Sequence, residues 1–280
     1  MRLLLLTALT MVAFAANSVL NRLALEGGAA GPASFAAIRL VAGAAMLALL
    51  AGWRSGGLRW RTGVGGPAAL ALYVLGFSFA YVTLQTGVGA LILFGGVQVT
   101  MFAGAVLGHE AVPLRRWLGA GLSFAGLVYL MWPAGGAAPD LGGAALMAAA
   151  ALGWGIYSLI GRGARDPLAA TAANFLWAVP AGVAVWLFVR DGATAAGVAL
   201  AVLSGALTSG LGYALWYTVL PALGATRAAV AQLTVPVIAI AGGIVFAGEA
   251  LSLRVVLASA LVLGGVAWSV MPGRMKEERE

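Results

Sequence analysis

The sequence predicts an all-α membrane protein, with ten transmembrane helices arranged as two inverted five-helix repeats. Three observations carry that expectation. About ten apolar stretches follow one another from Leu3 to Met271, each close to the roughly 20 residues a helix needs to cross the hydrocarbon core. Hydrophobic residues make up 62% of the chain and charged residues 9%, against about 45–50% and about 25% in a soluble domain. The second half also repeats the first at an offset of 139 residues. Helices follow because a lipid-exposed backbone must satisfy its hydrogen bonds within its own segment. The short apolar–polar alternation of barrel strands is absent from the sequence.

The candidate spans are 3–25, 32–51, 66–83, 87–107, 113–132, 141–160, 168–189, 197–219, 225–247 and 251–271. In the first, Arg2, the run Leu3–Ala16 and the triplet Ala13-Phe14-Ala15 imitate a cleavable signal peptide. The apolar stretch runs on to Leu25, and its removal would leave an unpaired helix, so it is read as a retained span. Within it Asn17 and Asn21, four residues apart, share a helix face, with Ser18 beside Asn17. The second span opens at Pro32 and carries Arg39, about 10 Å inside one end by helix rise. The third bears Tyr73, Phe77 and Tyr81 at steps of four, and Gln85 continues the row. The fourth holds Gln98 and ends in Gly104-xxx-Gly108, followed by His109-Glu110.

The fifth begins with Leu114-Arg115, contains Gly119-x-Gly121 and closes at Pro133. The sixth places Trp154, Tyr157 and Ser158 at i, i+3 and i+4, and the seventh follows Pro167 with Asn174 and Trp177. The eighth has Tyr213, Trp216 and Tyr217; the ninth has Gln232, Pro236-Val237 and Gly242-Gly243. The tenth begins with Leu253-Arg254 and closes at Pro272. Small residues let helices approach closely in lipid, so the paired glycines are read as packing surfaces.

Charge gives the topology. With the N-terminus inside, one set of loops holds Arg2, Arg54, Arg59, Arg61, Arg115, Arg116, Arg162, Arg165, Arg227, Arg274, Lys276 and Arg279, and the other holds Arg22, Arg190 and Arg254. Twelve against three is a positive-inside bias that places both termini in the cytoplasm. The net charge of +7 is therefore a topology signal and not a nucleic-acid footprint. The lipid bilayer is the implied surrounding.

Shifted by 139 residues, Gly104, Val106, Glu110, Ala111, Leu114, Arg115, Leu118, Leu122 and Gly126 fall on Gly243, Val245, Glu249, Ala250, Leu253, Arg254, Leu257, Leu261 and Gly265, and Pro133 on Pro272. The halves are residues 1–133 and 140–272, joined by a linker at 134–139 and followed by a cytoplasmic tail at 273–280. Five spans per half is an odd number, so the second half enters the membrane from the opposite side. Such inverted pairs offer two conformations, open to either side of a central site.

Zero cysteines and a single histidine, His109, argue against thiolate or histidine metal sites, and no cofactor or metal is expected. No nucleophile–base pair marks an enzyme. A channel would need rings of polar or charged residues along a pore, and the spans offer too few. The intramembrane aromatic and amide residues instead suit a substrate cavity with stacking surfaces and a few hydrogen-bonding groups. Its candidate residues are Asn17, Asn21, Arg39, Phe77, Tyr81, Gln98, Trp154, Tyr157, Ser158, Asn174, Trp177, Tyr213, Trp216 and Gln232. Tyr73 and Tyr81, near span ends, fit an interfacial belt as well as a cavity. Arg39 either serves the pathway, as an intramembrane charge does by default, or is a structural tie to Glu26 or helix carbonyls. Glu110 and Glu249 stand between helices and are read as caps. No Asp or Glu lies mid-span, so a buried-carboxylate proton carrier is not expected.

The five-plus-five plan, the helix ends Gly108-His109-Glu110 and Gly248-Glu249, and Pro236-Val237 together resemble the EamA family of the drug/metabolite transporter superfamily. The resemblance covers nearly the whole chain. It implies a bacterial inner-membrane exporter of metabolites or drugs, with amino-acid exporters of the YddG type among the relatives; a monomer acting on a small-molecule substrate is expected. One departure is Val97-Gln98 in the first half, where the second has Pro236-Val237.

Overall fold

A computed structural model describes residues 1–55, 62–109, 112–132, 138–161 and 164–270, with side chains at all of these except 55, 224–230 and 270. Several expectations lie outside them: the Glu110 cap, Pro133 and Pro272, most of the linker, the tail, and the side chains of Arg59, Arg61, Arg162, Arg227, Arg274, Lys276 and Arg279.

The described chain is helical: α1 Arg2–Glu26, α2 Pro32–Ser55, α3 Gly65–Ala80, α4 Thr86–Leu107, α5 Leu114–Met131, α6 Leu141–Gly161, α7 Pro167–Val189, α8 Ala195–Val202, α9 Gly212–Gln232, α10 Thr234–Ala247 and α11 Leu253–Val270. A π-helical stretch, Leu203–Leu211, joins α8 to α9 without a break. Among the described residues the sole β-type pairing is the isolated bridge between Ala30 and Ala193. Among the described residues, six helical runs are long and apolar enough to cross a membrane: Arg2–Glu26, Pro32–Arg54, Thr86–Leu107, Leu141–Gly161, Pro167–Val189 and Ala195–Leu223. Gly65–Ala80, Thr234–Ala247 and Leu253–Ser269 are apolar but shorter. The protein is an all-helical membrane protein.

Two boundaries differ from expectation. The third helix ends at Ala80, and residues 81–84 form turns. Helix α9 continues through Pro221 to Gln232, so the break before the ninth segment falls at Leu233 instead of near residues 220–224. Pro236 explains the position: its ring clashes with the carbonyl four residues back, that of Gln232, and it has no N–H to donate.

Helix pairing places α2 on α7, α3 on α6, α1 against the α8–α9 run, and α5 on α11. Helix α10 packs on α1 and α4, and α4 also packs on α6. Glycine makes several of these approaches possible. A Cβ on Gly119 would fall against the Gly265 carbonyl oxygen, and one on Gly265 against the Gly119 carbonyl. Between them Ser123 Oγ donates to Val262 O at 3.0 Å, a bond across 139 residues. Gly205 lies on the Arg39 carbonyl and Gly153 on the backbone of Ala69 and Tyr73. The glycine expectation needs one correction: Gly121 has no neighbour within 4 Å, and Gly108 meets only carbonyls of its own helix. Gly104 and Gly242 do receive side chains, those of Leu159 and Val19.

The α5–α11 contact makes a direct prediction. Gly265→Val should destabilise the protein by about 1–3 kcal/mol through overpacking. Gly264→Ala, one residue away with open space around its Cβ, should leave thermal unfolding in detergent unchanged.

Candidate functional site

Near the middle of α1, Asn17 is buried and its side chain is shared by two other segments. Its Oδ1 accepts from Ser204 Oγ at 2.6 Å and lies 3.2 Å from Thr208 Oγ1, both on the π-helical stretch. Its Nδ2 donates to the Tyr73 hydroxyl of α3 at 3.4 Å. Ser204 and Thr208 are four apart, so they present their hydroxyls to one amide. π-helical turns inside α-helices concentrate at functional sites.

Beside this amide lies a narrow, partly open cleft. Helix α1 lines it with Phe14, Asn17 and Ser18, α3 with Tyr73 and Phe77, and α4 with Leu93 and Phe94. Trp154 of α6, Thr208 of the π stretch, and Tyr213 and Gln232 of α9 complete the wall. Trp154 is its aromatic centre: its ring lies 4.9 Å from Tyr73, 5.1 Å from Tyr213 and 5.5 Å from Tyr157, the last stacked at 26°. Phe14 meets Tyr213 edge-on at 5.8 Å. No carboxylate lines the cleft among the described residues.

The candidate residues divide accordingly. Asn17, Phe77, Trp154, Tyr213 and Gln232 meet at the cleft. Arg39 stands immediately behind it and is fully buried. Its Nε donates to Ser209 Oγ at 3.2 Å and its Nη2 to the Tyr73 hydroxyl at 3.0 Å. The guanidinium also sits over the rings of Tyr73 and Phe77, at 5.2 and 5.0 Å. The expected alternative partner is taken elsewhere, because Glu26 pairs with Arg22 at 2.7 Å.

The others do not line the cleft. Asn21 Nδ2 donates to Asn17 O, and its Oδ1 accepts from Ser78 Oγ. Tyr81 is buried in the turn after α3, where its hydroxyl donates to Thr86 O at 3.2 Å. Tyr157 donates to Thr171 Oγ1, which in turn donates to Tyr217, a chain behind Trp154. Ser158 donates to the Trp154 carbonyl of its own helix. Asn174 accepts from Thr62 Oγ1 at 2.6 Å, at the end of the bundle near α3's start. Gln98 is half-buried on α4 and Trp216 packs with Met11, Ala15 and Val219 in a second apolar cluster. Trp177 points outward, 56% exposed.

Sequence reading missed Phe14, Leu93, Phe94, Ser204, Thr208 and Ser209. The first three are apolar residues among apolar neighbours. Of the last three, Ser204 and Thr208 carried a usable signal, since they repeat at the same i, i+4 spacing as Asn17 and Asn21.

At the end of the bundle where α1 stops and α2 starts, residues before 133 bond repeatedly to residues after 139. Glu249 Oε1 accepts from the backbone N–H and hydroxyl of Thr86, at 2.7 and 2.8 Å, and lies 3.5 Å from Arg22 Nε. Glu249 is thus a helix cap as expected, but for α4 of the other half. Asp191 likewise caps α2 by accepting from Ala33 and Ser34 N–H. Gly31 N donates to Gly192 O, Thr83 to Asp140, and Arg254 Nη1 to Trp132 O. The Gly143 N–H and the Thr83 hydroxyl hold the Asp140 carboxyl below the usual carboxylate range. At the opposite end, described ties across the halves include Arg54 with Asp166, and Thr62 with Asn174.

The chain is similar to several known proteins. The profile of the EamA-like transporter family matches residues 141–271. An uncharacterized protein of Pseudomonas aeruginosa is 47% identical over 100% of this chain and 98% of its own length. An uncharacterized transporter of Archaeoglobus fulgidus is 26% identical over 71% of this chain and 76% of its own. One crystal structure superposes with a TM-score of 0.66 at 23% identity, covering 94% of this chain and 98% of that one. That last match is a likeness of fold. The chain belongs to the EamA-like transporter family.

Proposed function

We propose that this family member is an alternating-access exporter of the bacterial inner membrane that moves small metabolites with an apolar or aromatic part, amino acids foremost. The observation that carries the reading is the central cleft, whose aromatic and polar wall is drawn from both sequence halves. Stacking surfaces with a few fixed hydrogen-bonding groups suit a small organic molecule. A membrane transporter of small molecules is what the family membership itself implies.

Inverted halves are supported by the way the helices pair. Under the 139-residue shift α2 corresponds to α7 and α5 to α11, and each packs on its own counterpart. Ser123 bonds to Val262, its counterpart in the shift. Under the topology read from charge, the end sealed by Glu249, Asp191 and Asp140 faces away from the cytoplasm. The conformation is then one closed to the non-cytoplasmic side, and transport requires these ties to part.

Two experiments test the reading. Reporter fusions after Glu280 and in the linker near Ala137 should fall on opposite sides of the membrane; the same side for both removes the inverted repeat. In proteoliposomes, labelled phenylalanine should show saturable uptake that accelerates with unlabelled phenylalanine trapped inside. Uptake linear in concentration and without counterflow would mean a channel-like facilitator. Trp154→Ala should lower the counterflow rate about tenfold, equivalent to about 1.4 kcal/mol, because the ring at the centre of the wall is lost. Trp268→Ala, on an outward-facing ring 56% exposed, should leave it unchanged.

A further inference from the structure

We propose that the cleft holds the carboxylate of its ligand at a subsite made by the Tyr73 hydroxyl and the Arg39 guanidinium behind it, so that carboxylate-bearing molecules are bound and cationic ones rejected. The inference rests on the transporter reading above and narrows its substrate class: an amino group becomes dispensable and a carboxylate essential.

The first argument is charge. Arg39 is fully buried, and its Nη1 has no hydrogen-bond partner among the described residues. A guanidinium does not lose its proton when buried, so the positive charge is permanent. Its neighbours are a serine hydroxyl, a tyrosine hydroxyl and two aromatic rings, all neutral. Rings attract a cation but supply no net negative charge. Every acid in the described residues is engaged elsewhere: Glu26 with Arg22, Asp140 with Thr83, Asp166 with Arg54, Asp191 with the α2 N-terminus and Glu249 with Thr86. An uncompensated charge away from water is strongly disfavoured. No described residue supplies the compensating anion; in this proposal the ligand supplies it.

The second argument is the direction of hydrogen bonds. The Tyr73 hydroxyl oxygen accepts from Arg39 Nη2 at 3.0 Å and from Asn17 Nδ2 at 3.4 Å. It donates to no described residue. Both acceptor positions are filled, which leaves one O–H donor on a residue that lines the cleft. Asn17 is oriented the same way, because its oxygen faces Ser204 and Thr208, and its amide nitrogen faces Tyr73. A hydroxyl polarised by a guanidinium and offering only its proton matches a carboxylate oxygen. With no carboxylate in the wall, an ammonium group finds no counter-charge there and meets Arg39's field instead. In this arrangement Tyr73 touches the ligand, and Arg39 positions and polarises Tyr73.

The test uses full-length protein in detergent, with binding followed by thermal shift and by tryptophan fluorescence. The probes are phenylacetate, phenylacetamide and phenethylamine, which share a ring and differ in charge, and sodium chloride against sodium gluconate as the halide control. Phenylacetate should bind saturably, the amide about tenfold or more weakly, and the amine not at all. Tyr73→Phe keeps the ring contacts, so it should fold; it should weaken phenylacetate about tenfold or more while leaving phenylacetamide unchanged. Arg39→Gln should lose the preference for phenylacetate and Arg39→Lys should restore part of it. If Arg39→Gln does not fold, Tyr73→Phe decides alone.

Equal binding of all three probes, or none of phenylacetate, overturns the proposal. So does an equal loss of all three in Tyr73→Phe. Chloride protecting as well as phenylacetate and displacing it no better than gluconate would mean two unrelated anion sites, and would also overturn it. Selective phenylacetate binding without counterflow in liposomes would leave the subsite standing and remove the transporter reading. Counterflow of amine or amide with no carboxylate preference would do the reverse.

Discussion

The structure depends on one constraint: in hydrocarbon a polar group without a partner is expensive, so each must find one inside the protein. The consequence reaches beyond satisfaction of single residues. When Asn17 meets Ser204, Thr208 and Tyr73, it joins α1 to the π stretch and to α3. Asn21 and Ser78 fasten α1 to α3 a turn further on, and Ser123 fastens α5 to the Val262 carbonyl of α11. Apolar packing alone would leave these helices free to slide, since lipid is as apolar as a leucine face. A few amides and hydroxyls therefore fix which helices meet and at what height. Beside the cleft the accounting stops short, with a Tyr73 proton and an Arg39 nitrogen left over, as it also does at Arg22 Nε and Ser259 Oγ.

The same logic governs the sealed end. Helix ends carry partial charges and unpaired backbone groups. Thr86 N–H and Ala33 and Ser34 N–H begin α4 and α2, and both sets are met by carboxylates from the other half, Glu249 and Asp191. The opposite sign is met by arginine. Arg22 donates to the Tyr81 and Val82 carbonyls after α3, Arg190 to Leu187 O at the end of α7, and Arg254 to Trp132 O after α5. These are the three basic residues that stood on the minority side of the charge count. Each has a local structural task, so their presence there does not weaken the topology that the other twelve indicate.

Helix existence was legible because hydropathy over about twenty residues is a strong signal. Helix rotation was not. A helix apolar on every face gives no moment from which to read which side is inward, and this separates Trp154 from Trp177. Both are tryptophans inside spans, yet one centres the cleft and the other faces outward. Asn17 could be placed inward because an amide cannot face lipid cheaply, whereas Phe14, Leu93 and Phe94 could lie on either side. Arg39 was recognisable as anomalous, but its surroundings were not: the Tyr73, Phe77 and Ser209 contacts join segments up to 170 residues apart. The π stretch left no local mark beyond small residues, since Gly205 and Gly210 serve helix approach equally well.

The departure between the halves at Val97-Gln98 and Pro236-Val237 has a physical outcome at the cleft. Helix α4 runs unbroken from Thr86 to Leu107 and offers Leu93 and Phe94, two apolar side chains on a continuous rod. In the second half the counterpart is interrupted at Leu233, where Pro236 prevents the ladder from continuing. What this half offers the cleft is Gln232, the last residue of α9. A helix end leaves carbonyls without intrahelical partners, so polarity is delivered there by backbone as well as side chain. The α4 rod and the α9 terminus thus present unlike surfaces to the cleft, one apolar and one polar. A ligand with one apolar and one polar end meets an oriented site, and only the second half carries the interrupted helix beside it.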